Sequence, residues 1–346
     1  MQNTSTQNAF IQLGKFLREH INGKKITGLE NYHDELQKII ELQHQYNGWF
    51  TQENVKNALL GISLMLESEK LLSFSNEALS QGKKTVAVIM AGNIPAVGFH
   101  DLLCVLLSGN NILIKPSSDD QLLIPFFVKF LIDQSPELND KIRFAEGKLS
   151  QFDAVIATGN NNSALHFEYY FSKYPHLIRK NRNSVAILNG EESKEELIQL
   201  GKDIFSYFGL GCRNVSKLFV PEKYDFKYFF EAMYEYKDVA QNKKYFNNYE
   251  YHRALFLLEK IEFLDNNFMI LRASDQFSSP VSVMHYETYG HLESLEERIK
   301  SNSDKIQCLV GKLNFDTMVP FGKSQFPEIN DFADGVNTLE FLKSLG

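Results

Sequence analysis

Thr85-Val-Ala-Val-Ile-Met-Ala-Gly-Asn-Ile-Pro95 is the stretch from which the fold is read. Its first six residues form a short β-branched apolar run, the composition of a buried strand, and the Gly, Asn and Pro behind it are turn residues. Residues 97–108 then read as a helix, Asn111-Ile-Leu-Ile-Lys115 as a second strand and 120–132 as a second helix. Asp153-Ala-Val-Ile-Ala157 reads as a third strand, followed by a helical stretch over 163–173. Strands alternating with helices of about 10–15 residues predict right-handed βαβ units around a parallel sheet. In such sheets the ligand crevice lies outside the carboxyl ends of the strands.

Upstream, residues 1–80 read as helices, with Val55, Leu59, Ile62 and Leu66 sharing one helical face. Downstream, a second β/α section begins near Ser184: a strand over 184–188, a helix over 194–208, a strand over 217–220 and an aromatic helix over 224–236. Arg179, Lys180, Asn181 and Arg182 read as a polar joint between two domains. The expected organisation is a helical N-terminal region with a nucleotide-type domain over 1–182 and a second α/β domain over 183–311. The tail over 312–346 ends in a short helix and packs back or meets a second copy. At 346 residues the chain is long enough for two such domains.

Composition narrows the function. Lys and Arg number 36 against 43 Asp and Glu, a net charge of −7, which does not suit a general grip on nucleic acid. Cys104, Cys212 and Cys308 are too few for a disulfide scaffold and match no metal spacing, so no metal is expected. Met1 to Phe10 lacks the basic start and apolar run of a signal peptide, and residues 87–107 are broken by Asn93, Pro95, His100 and Asp101. The expectation is a soluble, cytoplasmic protein with no membrane span.

Three segments carry residues suited to chemistry. In Gly209-Leu-Gly-Cys-Arg-Asn214, glycines let a backbone come close to a substrate carbonyl, and Arg213 favours a thiolate at Cys212. The same pattern also describes a small residue packed in a tight loop. Asn93 stands where a strand hands over to a helix; its amide suits donation to an oxyanion, and it equally suits the turn itself. Lys115 ends the second strand, where nucleotide folds read the adenosine ribose, or is a solvated lysine before Pro116. Cys104 and Cys308 lie in apolar runs and read as core. His100-Asp101 reads as a helix start. The basic-aromatic stretch 243–251 with Arg253 reads as a solvated loop, with the phosphates of coenzyme A as its alternative ligand.

Taken together, these segments resemble the aldehyde dehydrogenase superfamily. Gly92-Asn-Ile-Pro95 looks like its Trp-Asn-Phe-Pro segment, and Leu107 through Ser117 like its strand ending Lys-Pro-Ser. Ala157-Thr-Gly-Asn160 is similar to its Phe-Thr-Gly-Ser turn. Lys180 through Val185 resembles the opening of its catalytic domain, and Gly211-Cys212 through Val220 its nucleophile loop and following strand. The likeness runs over about residues 83–285. The closing Phe332-Ala-Asp-Gly-Val-Asn-Thr-Leu-Glu340 looks more like the LuxC-type branch, the fatty acyl reductases.

The resemblance implies an α/β fold of aldehyde-dehydrogenase type: a Rossmann-type cofactor domain, an α/β catalytic domain and a helical N-terminal region. It implies Cys212 as nucleophile, and Asn93 with the Cys212 backbone N–H as oxyanion donors. It further implies that Lys115, Ser117, Ser118, Thr158, Gly159 and Pro95 bind the cofactor. The expected reaction is NADPH-dependent reduction of a long-chain acyl-CoA, or of an acyl-protein thioester, to the aldehyde. An acyl-transferring protein is a possible partner, and relatives commonly self-associate. The alternatives are an acyl-phosphate reductase and an inactive acyl- or nucleotide-binding relative.

Departures from the family pattern sharpen this. The water-activating Glu of Glu-Leu-Gly-Gly-Lys falls at His176, and Ile178 and Arg179 replace the glycines. A reductase discharges its acyl-enzyme by hydride and needs no such base. His176 is expected either to move a proton at Cys212 or at the product alkoxide, or simply to be packed and hydrogen-bonded. Gly159 stands alone in its turn, without a second glycine over 160–167. NAD-preferring relatives carry an acidic residue three positions after the lysine; Ser118 here leaves room for a 2′-phosphate, with Asp119 next to it.

Overall fold

A computed structural model describes residues 3–78, 83–315 and 317–346; positions 1–2 and 79–80 of the helical N-terminal reading lie outside it. The chain divides into two compact units, Met1–Asn181 with Pro327–Gly346, and Arg182–Phe326. The segment after 312 is therefore shared between them.

The first unit opens with α1 (Asn3–Ile21), α2 (Glu30–Tyr46), α3 (Gln52–Met65) and α4 (Ser68–Ala78). It continues through β1 (Thr85–Ile89), α5 (Phe99–Leu107), β2 (Asn111–Lys115), α6 (Leu123–Gln134) and β3 (Ile142–Phe144). β4 (Ala154–Thr158), α7 (Asn161–Phe171) and β5 (His176–Arg179) follow. The five strands are all parallel, in the order β3-β2-β1-β4-β5. Alternation along the strands decides their two faces. Val86, Val88, Ile112 and Ile114 share one core with α1 through α6, centred on Phe10, Phe16, Phe99, Phe127 and Phe130. Ala87, Leu113, Val155 and Ala157 face the other way, under Phe167 and Phe171 of α7.

The second unit comprises β6 (Asn183–Ile187), α8 (Lys194–Phe205), β7 (Val215–Pro221), α9 (Phe226–Met233), α10 (Lys243–Leu258), β8 (Leu264–Asp265) and β9 (Ile270–Ala273). β10 (Val283–Tyr289), α11 (Leu292–Lys300), β11 (Ile306–Val310) and β12 (Met318–Val319) complete it. Its sheet runs β12-β11-β6-β7-β10-β9-β8, parallel except for the β8–β9 pair. α8 starts in a full capping box between Ser193 and Glu196. The last helix, α12 (Thr338–Lys343), belongs to the first unit.

Two sequence readings are corrected. Residues 243–258 form a helix, not a solvated loop, because Tyr245, Tyr249 and Phe256 turn inward and Asn242 caps its start through two amides. In the polar joint, Arg179 is buried, and Asp101 does more than favour a helix start. They form a buried ion pair at 2.7 Å, with the guanidinium also donating to the Thr338 hydroxyl at 2.9 Å. That pair ties β5, α5 and α12 together. Among the described residues no helix is long and apolar enough to cross a membrane.

Removing one member of a buried pair leaves the other charged and desolvated, at a cost of about 3–5 kcal/mol, whereas an apolar pair of similar volume is often tolerated. Arg179→Met should therefore shift the denaturant midpoint sharply downward. The double change Arg179→Met with Asp101→Leu should recover most of that loss; equal midpoints for the single and double variants would contradict the assignment.

Candidate active site

In the first unit, the strand register brings the carboxyl ends level. Ile89 sits beside Lys115 and Ala157, and Thr158 beside Arg179. Asn93, Pro95, Ser117, Ser118 and Gly159 all follow these ends, so the structure gathers them on one edge of the sheet. The strand order reverses direction between β1 and β4, which is where open parallel sheets take nucleotides.

The loop after β1 is tightly built. A Cβ on Gly92 would come within 2.4 Å of Ser117 Oγ and 2.8 Å of Asp119 Cβ, so the turns after β1 and β2 touch only because position 92 is glycine. Ala96 takes a left-handed conformation, φ 55°, and its N–H donates to Asp120 Oδ2 at 2.6 Å. Gln43 of α2 also donates to that carboxylate, at 3.3 Å, and Asn47 donates to Gly92 O at 3.4 Å. Burial pushes the Asp120 carboxyl up, and these hydrogen bonds partly offset it. Pro95 is buried, whereas Asn93 is exposed.

Lys115 donates to Gly147 O at 2.7 Å, which fixes its ammonium at the end of β2. Ser118 and Asp119 are exposed, and Ser117 Oγ accepts the Asp119 N–H at 3.2 Å. Beyond β4, a Cβ on Gly159 would come 2.8 Å from Ser163 Cβ, so the chain enters α7 in the tightest way available. Asn160 caps that helix through the Ser163 N–H at 2.8 Å.

His176 does not join this set. It opens β5 opposite Val155, three residues before the strand's end at Arg179, or about 10 Å back along the sheet. Its ring is exposed and its Nδ1 lies 2.8 Å from Tyr174 O. His176 thus lies at the amino end of its strand, apart from the residues gathered at the carboxyl ends.

In the second unit, Cys212 lies on the loop that enters β7. The chain reaches it through three successive left-handed residues, Tyr207 (φ 52°), Phe208 (φ 56°) and Gly209 (φ 79°). Asn214, 1 % exposed, holds this segment. Its Oδ1 accepts the Gly211 N–H at 2.8 Å, and its Nδ2 reaches the carbonyls of Asp203, Ile204 and Ser206 at 3.0, 3.4 and 2.7 Å. Asp203, buried in α8, accepts from Gly322 N at 2.6 Å and Ser324 N at 3.0 Å, and burial raises its carboxyl. Arg213 donates to Ser324 O at 3.4 Å. Ser184 donates to Cys212 O at 3.0 Å and lies 2.9 Å from Cys308 Sγ.

The three thiols differ. Cys104 is fully buried, and burial pushes its thiol well up, which makes it inert. Cys308 is buried against Ser184. Cys212 alone is partly exposed.

Sequence reasoning missed Asp120, Asp203, Asn214 and Ser184. Asp203 had a signal: it falls on the apolar face of its helix, with Leu197, Leu200 and Ile204, where a carboxylate needs partners. The other three act on backbone groups of loops, and no spacing marks that.

A family model described as acyl-CoA reductase (LuxC) matches residues 13–234. No curated protein matches the chain. Among solved structures, an indole-3-acetaldehyde dehydrogenase complexed with NAD+ is similar at TM-score 0.64 and 12% identity, over 91% of this chain and 72% of that one. An NAD+ complex of an aldehyde dehydrogenase from Bacillus cereus is similar at 0.63 and 12%, over 91% and 73%. An aldehyde dehydrogenase from Physcomitrella patens, bound to the reaction product succinate, gives 0.63 and 10%, over 97% and 84%. The fold is thus that of the aldehyde dehydrogenases, and with well over half its length matched, the chain belongs to the LuxC acyl-CoA reductase family.

Proposed function

We propose that the protein reduces a long-chain acyl thioester, carried on coenzyme A or on a protein, to the aldehyde with NADPH, through an acyl group held on Cys212. The observation that carries the reading is the state of Cys212: the only partly exposed cysteine, on a loop whose backbone is pinned from both sides. The Cys212 thiolate adds to the acyl carbonyl, forming an S–C bond and pushing the π pair onto oxygen. We take the Cys212 backbone N–H as a donor to that oxyanion, and the family resemblance gives the Asn93 amide the same role; one such donor is worth roughly 10²–10³ in rate. As the carbonyl re-forms, the carrier's C–S bond breaks, its sulfur leaves as thiolate, and the acyl group stays on the Cys212 sulfur.

The strand-end edge of the first unit fits a nicotinamide nucleotide. Gly159 keeps the entry to α7 clear of side chain, Thr158 and Pro95 flank the reversal of strand order, and Lys115 with Ser117 stands at the end of β2. Held there by Lys115, Ser117, Thr158 and Gly159, a reduced nicotinamide nucleotide would supply a hydride. The Lys115 ammonium and the Ser118 hydroxyl suit a ribose 2′-phosphate, which a carboxylate at 118 would repel.

Cys212→Ala should abolish transfer of labelled long-chain acyl-CoA onto the protein while leaving NADPH affinity near wild type. Consumption of NADPH at the wild-type rate by that variant would overturn the reading, and labelling by an acyl phosphate instead would move it to that substrate class. Ser118→Asp should lower kcat/KM for NADPH by about tenfold or more, corresponding to about 1.4 kcal/mol of repulsion, and spare NADH. An unchanged ratio between the two cofactors would remove Ser118 from the cofactor site.

A further inference from the structure

The two peptide groups that flank Cys212 are both tied down. The Gly211 carbonyl accepts the Asn214 N–H at 3.0 Å, and the Cys212 carbonyl accepts the Ser184 hydroxyl at 3.0 Å. In a trans peptide the C=O and N–H point to opposite sides of one rigid plane. Anchoring the Gly211 carbonyl therefore also sets the direction of the Cys212 N–H. The Asn214 side chain adds a second hold, through the Gly211 N–H on one side and three carbonyls of the preceding turn on the other.

Ser184 is set with equal care. The register of β6 slips on both sides of it, between Ser184 and Val185 against β7 and over the same stretch against β11. Such irregularities re-aim a side chain. Its single hydroxyl hydrogen goes to the Cys212 carbonyl, so Cys308 is the donor in the Ser184–Cys308 contact.

We propose that Asn214 is a positioning residue that aims the Cys212 N–H at the oxyanion formed on acyl addition, with Ser184 holding the other flank of the nucleophile. Asn214 is buried and acts on Cys212 through the backbone of Gly211, which precedes it. The inference rests on Cys212 being the nucleophile and goes beyond it, because it names what makes the amide a donor.

The test compares two reactions of the same sulfur in the full-length protein. Acyl transfer from long-chain acyl-CoA passes through an oxyanion; alkylation by iodoacetamide does not. Asn214→Ala should slow acylation by about 10²-fold, the loss typical of a small misplacement of reacting groups, while alkylation of Cys212 stays near the wild-type rate. A parallel change in both reactions, or no change in acylation, would overturn the proposal. Ser184→Ala, which removes one hydroxyl, is read in the same way and decides the matter if the Asn214 variant does not fold. Failure of the wild-type protein to take up acyl groups on Cys212 would instead sink the assignment of the nucleophile, and this inference with it.

Discussion

Three left-handed residues in succession are the constraint on which the second unit turns. Outside glycine, that conformation crowds Cβ against the backbone at about 1–2 kcal/mol per residue, and Tyr207 and Phe208 both bear it. Such a segment persists only where its surroundings over-determine it. Here both side chains are buried, and the Asn214 amide gathers the carbonyls of the turn that precedes them. The same amide then reaches forward to the Gly211 N–H. One buried side chain thus couples a strained turn to the peptide that presents Cys212, and the glycines at 209 and 211 keep that presentation free of Cβ atoms.

A similar economy governs the first unit. Its strand-end loops hold their shape through a buried carboxylate, Asp120, that collects an amide from the loop after β1 and a side-chain donor from α2. The N-terminal helices therefore do more than cover a sheet face: Gln43 and Asn47 brace the loop that carries Asn93. Two buried cations are held by carboxylates, Arg179 by Asp101 and Lys217 by Glu287. Lys217, on β7, has its ammonium enclosed by Glu287, the Ser274 carbonyl and the faces of Phe219 and Phe277. Burial lowers its pKa and the carboxylate works against that. Its side chain is wholly enclosed, which makes it a strut of the sheet.

The sequence was legible where the physics is local. β1 and β2 match their apolar runs to within a residue, because a strand buried on both faces has nothing but apolar residues to show. β3, β8 and β12, of two or three residues, leave no period to detect. α10 was misread because its inward residues are tyrosines and phenylalanine scattered among lysines and asparagines, so no clean apolar stripe stands out. Candidate residues flanked by glycine or proline, Cys212, Asn93 and Lys115, stand out in the sequence. Asn214, Asp120 and Ser184 did not, since each serves a backbone group whose position only the folded chain defines.

β5 departs from the aldehyde dehydrogenase pattern at His176, Ile178 and Arg179. In aldehyde oxidation a carboxylate must activate water against the acyl-enzyme. Here the residue aligned with that carboxylate, His176, opens the strand at the end away from Lys115 and Thr158. Of the residues that follow it, Leu177 is buried, Ile178 is apolar, and the Arg179 guanidinium is committed to Asp101 and Thr338. β5 therefore offers no base where its neighbours end. The buried Arg179–Asp101 pair therefore closes the strand's carboxyl end with a cation that cannot act as a base.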